Sequence, residues 1–417
     1  MDGNKIYYYR KKRGLTQKEA SKGICSVSYL SKIENNSIVA SSEIINLLYD
    51  RLEMTRSSYD ETQIVHIKQE IHEWHRALIF HQEDRIMSGY QKITELMQDM
   101  DHPKLLLLYY TVCIRFHLYY EEQTKAKELL DQLDLLNQDR KIEDNELQYF
   151  IVFNNALYAE MICDFESAHE FYEKAYSLGS DIGKKDSDFL YHLAFFCMKI
   201  GMFHHGILFA KEAIADFDAI ANYKRSLECH ILLGRLNRYI KEYTTAKEHF
   251  KTALNATRTN PVFSEFMAPI LYHFGKSLYD EELYEEAIKL FLESYDVTSI
   301  NHAQVCCALS RAYFKTDDIE KAHSWLNNGF NAMETKEQSV DLIELMLHKF
   351  AMNKTEHTSA YQAYVEDTAL PYLEKTQNRL FLLHLYESLA NYYTAKHAHK
   401  SANNYYIKLN KLYKKYV

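Results

Sequence analysis

Hydrophobic residues are spread along the whole chain instead of gathering in one run, and short polar stretches separate them. Near the start, Ile24, Leu30 and Ile33 fall on one helical face that Leu47 and Leu48 of a following helix can complete as a core. Ser26, Val27, Ser28, Tyr29, Ser31 and Lys32 are then left more exposed. Thr16 is placed to cap a helix opening at Gln17, and Ser26 or Ser28 to cap a second helix ending near Glu34 and Asn35. The spacing predicts two short helices meeting at a tight turn through Gly23-Ile24-Cys25.

Beyond this segment the pattern repeats. Ala126, Ala168, Gly206, Ala246, Ala287, Ala322 and Ala402 recur at about forty residues, with a degenerate copy near Ala360 and one more unit opening near Trp74. In register with that anchor, small residues stand twelve positions earlier at Ala156, Ala194, Gly234, Gly275, Ser310 and Ala390. They stand again seven positions later at Ala175, Ala213, Ala253, Ser294 and Gly329. Tyr172, Phe250 and Phe291 recur four positions after the anchor, with Ala210 as an exception. Small residues let two helices approach, and large apolar ones fill the space against the next pair. With 11 Gly and 4 Pro, the chain has too little punctuation for a β-protein. The fold class is all-α.

Charge changes the picture. Residues 1–56 hold ten Lys or Arg against six Asp or Glu, whereas the chain carries −9, leaving −13 for the remainder. A basic head on an acidic body can hold a phosphate backbone despite the overall sign. The most apolar stretch, Tyr109 to Tyr120, is interrupted by Arg115 and His117 and is too short to cross a bilayer. No apolar signal core precedes the first helices, and seven irregularly spaced Cys form no disulfide framework. The expected compartment is the cytoplasm, with no membrane partner.

Gly14-Leu15-Thr16-Gln17-Lys18-Glu19-Ala20 and Ser28-Tyr29-Leu30-Ser31-Lys32-Ile33-Glu34 resemble the helix-turn-helix of Cro-type repressors, and more particularly the heads of the NprR/PlcR-like regulators. The forty-residue units resemble tetratricopeptide repeats, stretched beyond the usual 34 residues. Together they imply a helix-turn-helix domain at 1–60, a linker or connecting helix at 61–70, and a right-handed superhelix of eight or nine repeats at 71–417. That layout is similar to the peptide-pheromone sensors of the RRNPP group, which also includes the headless Rap proteins. The resemblance implies a quorum-sensing transcriptional regulator that binds double-stranded DNA at a two-fold operator. A short signalling peptide in the superhelix would change how protomers associate, as homodimer or tetramer. It further implies, as the rival reading, a protein that sequesters a partner such as a sporulation phosphorelay response regulator.

Candidate residues follow. Ser26, Val27, Ser28 and Tyr29 can approach base edges, and Ser31 and Lys32 base edges or phosphate. By resemblance to repressor helices, Gln17 anchors phosphate or adenine. Arg10, Lys11, Lys12 and Arg13 suit the backbone. In the repeats, positions one and four after the early small residue face the inner wall. They place Arg115, Arg235, Arg238, Lys276 and Arg311 there, joined by Tyr272, Tyr279 and Asn391. Cations in equivalent slots of an acidic protein fit the carboxylates of a short peptide. The competing reading pairs each with an acidic neighbour or leaves it in solvent.

Catalysis finds little support, and no cofactor is expected. His72-Glu73-Trp74-His75 lacks the spacing of a zinc-protease helix. His204-His205, His397 with His399, and Cys306-Cys307 lack an accompanying ligand pattern. Glu121-Glu122, Glu281-Glu282 and Glu285-Glu286 sit near loops or helix starts, where solvation and the helix dipole account for them.

Overall fold

The structure, a computed structural model, describes residues 2–54, 61–98, 100, 102–137, 144–183, 186–297, 302–333 and 338–415. Every regular element among them is helical. The chain divides into two compact units, Met1–Lys185 and Asp186–Val417.

The first unit opens with four short helices: α1 (Asp2–Lys12), α2 (Gln17–Ser21), α3 (Val27–Glu34) and α4 (Ser42–Arg51). A hydroxyl starts each of the last three. The side chains of Thr16, Ser26 and Ser41 accept from the amides of Glu19, Tyr29 and Ile44, satisfying donors that a first turn leaves without a carbonyl. Glu19 also accepts from the Thr16 amide at 2.7 Å, closing a capping box. Ser26 is therefore the cap, and Ser28 lies inside α3. The head core holds Ile6, Ala20, Leu30, Ile33, Leu48 and Leu52, with Ile24 at its edge. Leu47 does not join it and is 45% exposed. One residue along a helix turns a side chain by about 100°, so Leu48 points inward and Leu47 does not.

Three helical hairpins complete this unit: α5 (Glu61–Ile79) with α6 (Glu83–Met97), α7 (Pro103–Tyr119) with α8 (Gln123–Asn137), and α9 (Asn145–Met161) with α10 (Phe165–Asp181). Residues 61–70 form the first half of α5, where Ile67 shares a core with Ile71 and Trp74.

The second unit continues the plan in α11 (Ser187–Ile200), α12 (Phe203–Ala219), α13 (Tyr223–Tyr239), α14 (Tyr243–Thr259), α15 (Met267–Asp280), α16 (Tyr284–Asp296), α17 (His302–Lys315) and α18 (Ile319–Asn331). It ends with α19 (Val340–Met352), α20 (Ser359–Tyr364), α21 (Leu370–Lys375), α22 (Arg379–Ala395) and α23 (His399–Lys414). A π turn, Val365–Ala369, joins α20 to α21.

The small residues of the repeat are the buried contact points of these hairpins. Ala168, Ala194, Ala246, Ala287 and Ala322 have no accessible surface. At Gly234 and Gly275 the space for a Cβ is taken, because such an atom would lie 2.6 Å from the ring of Phe250 or Phe291 respectively. The recurring aromatic thus fills the place where the recurring small residue stands. Reversals inside the hairpins use a left-handed residue that is glycine only at Gly201 (φ 84°) among these turns. Glu121, Cys163, Lys241, Glu282 and Asp317 hold φ between 56° and 68°.

The degenerate copy is explained by the π turn. Ala360, its expected anchor, is exposed, while Ala369 is buried. A π turn inserts one residue into the helical count, and Pro371 beyond it brings no amide hydrogen to the ladder. The buried face therefore slips out of register. No described helix is long and apolar enough to cross a membrane.

Candidate functional site

In the head, the N-terminal end of α3 is the exposed part. Ser26, Val27 and Ser28 are exposed, as is Lys32 a turn later, while Tyr29 and Ser31 are half-buried. Behind them lies a buried carboxylate. Glu34 accepts from Arg10 Nε at 2.5 Å, from Arg10 Nη2 at 3.0 Å and from Gln17 Nε2 at 2.7 Å. Arg10 also donates to the Leu15 carbonyl at 2.9 Å.

This geometry corrects the expectation for Arg10. Only 4% exposed, it braces α1 against α3 and does not face phosphate. Gln17 stays at the entrance of α2 with its amide nitrogen held by Glu34. Lys11 lies over the Tyr7 ring, and Lys12 lies over Tyr8 and Tyr9. Arg13 is exposed, yet it donates to the Leu52 carbonyl at 2.6 Å and pairs with Glu53 at 2.9 Å.

In the second unit, α13, α15 and α17 bring Arg235, Arg238, Lys276 and Arg311 within electrostatic reach of one another, together with Tyr272 and Tyr279. Arg311 donates to Glu344 at 2.8 Å. Arg238 stands 3.6 Å from Asp280, too far for a hydrogen bond, and its Nε and Nη1 are buried without a hydrogen-bond partner among the described residues. Lys276 donates to the Tyr272 hydroxyl at 3.4 Å. Arg235 has no carboxylate partner among the described residues and lies 5.7 Å from the centre of the Phe195 ring.

The titration behaviour follows from that crowding. Burial pulls the Arg235 guanidinium down. His273 is driven well below its ordinary range by burial, then by Arg235, Arg238 and Lys276, so it is neutral. Burial alone would raise Glu344, but Arg311, Lys276, His348 and Arg238 hold it below the usual carboxylate value. Four cations face the half-buried Glu344 and the exposed Asp280, which leaves positive charge in excess.

Two expected groove residues lie apart from this cluster. Arg115, on α7 of the first unit, is buried with its guanidinium 4.9 Å from the Phe153 ring centre. Asn391 is exposed on α22 and accepts from the Tyr406 hydroxyl at 3.2 Å. Glu344 and His273 were not singled out by the repeat. His273 neighbours Tyr272 and falls outside the inner-wall slots, and Glu344 stands on α19, within the stretch around 335–375 where the repeat is degenerate.

Comparison with known proteins bears on both parts. Residues 6–54 match the helix-turn-helix family, and these limits are those of the head core, from Ile6 to Met54. Residues 241–409 match the family described as meiosis protein SPO22/ZIP4 like. The transcriptional activator NprA of Geobacillus stearothermophilus is 25% identical over 401 residues, covering 92% of this chain and 96% of NprA. The apo quorum sensor NprR of B. thuringiensis superposes with a TM-score of 0.66 at 18% identity, over 83% of this chain and 98% of NprR. Over most of its length the chain is similar to NprA in sequence and to NprR in fold.

The fold is also similar to that of NprR solved with its cognate peptide NprX, at a TM-score of 0.67 and 17% identity over 85% of this chain and 99% of that one. A Rap protein complexed with competence and sporulation factor gives 0.68 at 18% identity, over 84% and 98% of the two chains. Paired helical repeats are thus common ground between residue pattern, structure and these solved proteins, and the helix-turn-helix match adds the head at 6–54.

Proposed function

We propose that this chain is a transcriptional regulator that reads duplex DNA with α3 and senses a short signalling peptide with its repeats. The observation that carries the reading is the cationic cluster with surplus charge, Arg235 above all, in a chain that begins with a helix-turn-helix. NprA is named a transcriptional activator, and NprR is solved with a peptide, which supports both halves.

On this reading residues 1–60 are the DNA-binding domain. Ser26, Val27, Ser28 and Tyr29 meet base edges; Lys32, Lys12 and Arg13 meet phosphates. Arg235, Arg238, Lys276 and Arg311 take carboxylates of the peptide, with Tyr272 and Tyr279 beside them, and Arg115 occupies the equivalent slot on α7. Two heads of a homodimer would sit on half-sites about 34 Å apart. Peptide switches the protein only by binding one assembly more tightly than another.

The test uses duplex from the gene's own upstream region and a panel of short synthetic peptides that carry carboxylates. Arg235→Ala is expected to weaken peptide binding by about tenfold or more, the loss of one charge-assisted contact. Peptide affinity left unchanged in that variant rejects the cluster as the site. Indifference of the full chain to the duplex rejects the head as the reader.

A further inference from the structure

Helix α1 belongs to two cores at once. Ile6, on one side of it, is fully buried in the head core with Leu30, Ile33 and Leu48. Tyr8 is buried in another core, with Ile67, Ile71 and Trp74 of α5 and Leu105, Leu106 and Val112 of α7. Tyr9 packs against both. The Tyr8 and Tyr110 hydroxyls lie 3.5 Å apart, so α1 and α7 meet through a polar contact inside an apolar surround.

On its other face α1 is locked to α3. A Cβ on Gly3 would fall 1.9 Å from the Ile33 carbonyl oxygen, so the two helices touch backbone to backbone there. Seven residues further along α1 the buried Arg10 and Glu34 pair fixes them a second time. Two attachments far apart on one short helix leave α3 little freedom to move relative to α1.

We propose that α1 is a coupling strut: it makes the recognition helix and the first repeat hairpins one rigid body, so that repacking of α7 re-aims α3, and DNA held by α3 stiffens α7. The inference rests on the DNA reading of the head for its second half only. Its physical basis is shared burial, and a packed core passes on displacement because it has no slack to absorb it. Arg115 stands five residues from Tyr110 on the same helix, which puts a proposed peptide contact and the strut contact on one element.

Hydrogen exchange on the full chain tests this, with Tyr110→Ser and Tyr110→Phe as variants. Tyr110 is half-buried, and Tyr110→Phe keeps the ring, so a loss common to both variants reads the contact and not misfolding. Tyr110→Ser is expected to speed exchange at the α1 amides from Tyr7 to Arg10 by about tenfold, leaving α9 and α10 unchanged, with Tyr110→Phe between it and the parent. A duplex from the upstream region should slow exchange in α7 of the parent and not in Tyr110→Ser, since coupling is reciprocal. Unchanged α1 exchange in Tyr110→Ser, or α3 protected by duplex while α7 stays as it was, overturns the strut. If duplex protects no segment, α3 included, the DNA reading fails, and the α1 comparison alone decides the strut.

Discussion

Glu34 shows how much of the head depends on one side chain. A buried carboxylate is tolerable only when its charge and lone pairs are met, and here Arg10 and Gln17 meet them from two other elements. Arg10→Met is expected to destabilise the head by about 3–5 kcal/mol, because it strands that carboxylate. Thermal unfolding followed at the head would read it. Lys12→Ala should shift stability by less than about 0.5 kcal/mol, yet reduce the salt slope of DNA binding by about 1. The caps at Thr16 and Ser26 were legible because capping is decided within three residues. The inward turn of Arg10 was not, since a run of Arg10-Lys11-Lys12-Arg13 gives the sign of charge and no direction. The cation slots at Arg235, Arg238, Lys276 and Arg311 were legible from register, but the acid that partners them, Glu344, is far along the chain.

At the scale of elements, the repeat is written in volume. Gly275 is needed where Phe291 fills its Cβ position, so Gly275→Ala should cost about 1–3 kcal/mol by overpacking, read as a shift in denaturation midpoint. The reversals are a different matter. Glu282 holds φ at 68°, a conformation that costs an ordinary residue about 1 kcal/mol. Glu282→Gly is expected to leave the fold unchanged and raise stability by up to about 1 kcal/mol in the same assay, offset in part by glycine's greater freedom when unfolded. Helix pairing was legible because small and aromatic residues recur at fixed offsets. The copy around 335–375 was not: a π turn has no residue signature, and it moved burial from Ala360 to Ala369.

For the molecule as a whole, buried histidines set the response to acid. His348 bonds to Ser310 at 2.9 Å, and burial followed by Arg311 pushes it down to about 4. His249 is likewise pushed down to about 4, by burial and then His230, whose Nδ1 lies 3.0 Å away. The unfolded chain takes up these protons near pH 6.5, whereas the folded one resists until about 4. Stability is therefore complete above pH 6.5 and declines as pH falls toward 4, by about 1.4 kcal/mol per pH unit for a group as buried as His348. Urea midpoints at decreasing pH should show the decline, and His348→Gln should flatten it.

The left-handed reversals carry one more consequence. A hairpin whose bend is strained does not hold itself closed; its neighbours hold it, and α22 with α23, turning at His397 (φ 56°), is held through the core it shares with α19, α20 and α21. Pulled from the C-terminus, the chain should lengthen in a staircase of about forty residues per step, beginning with that last pair. A force trace with a single rip would mean that the repeats let go together.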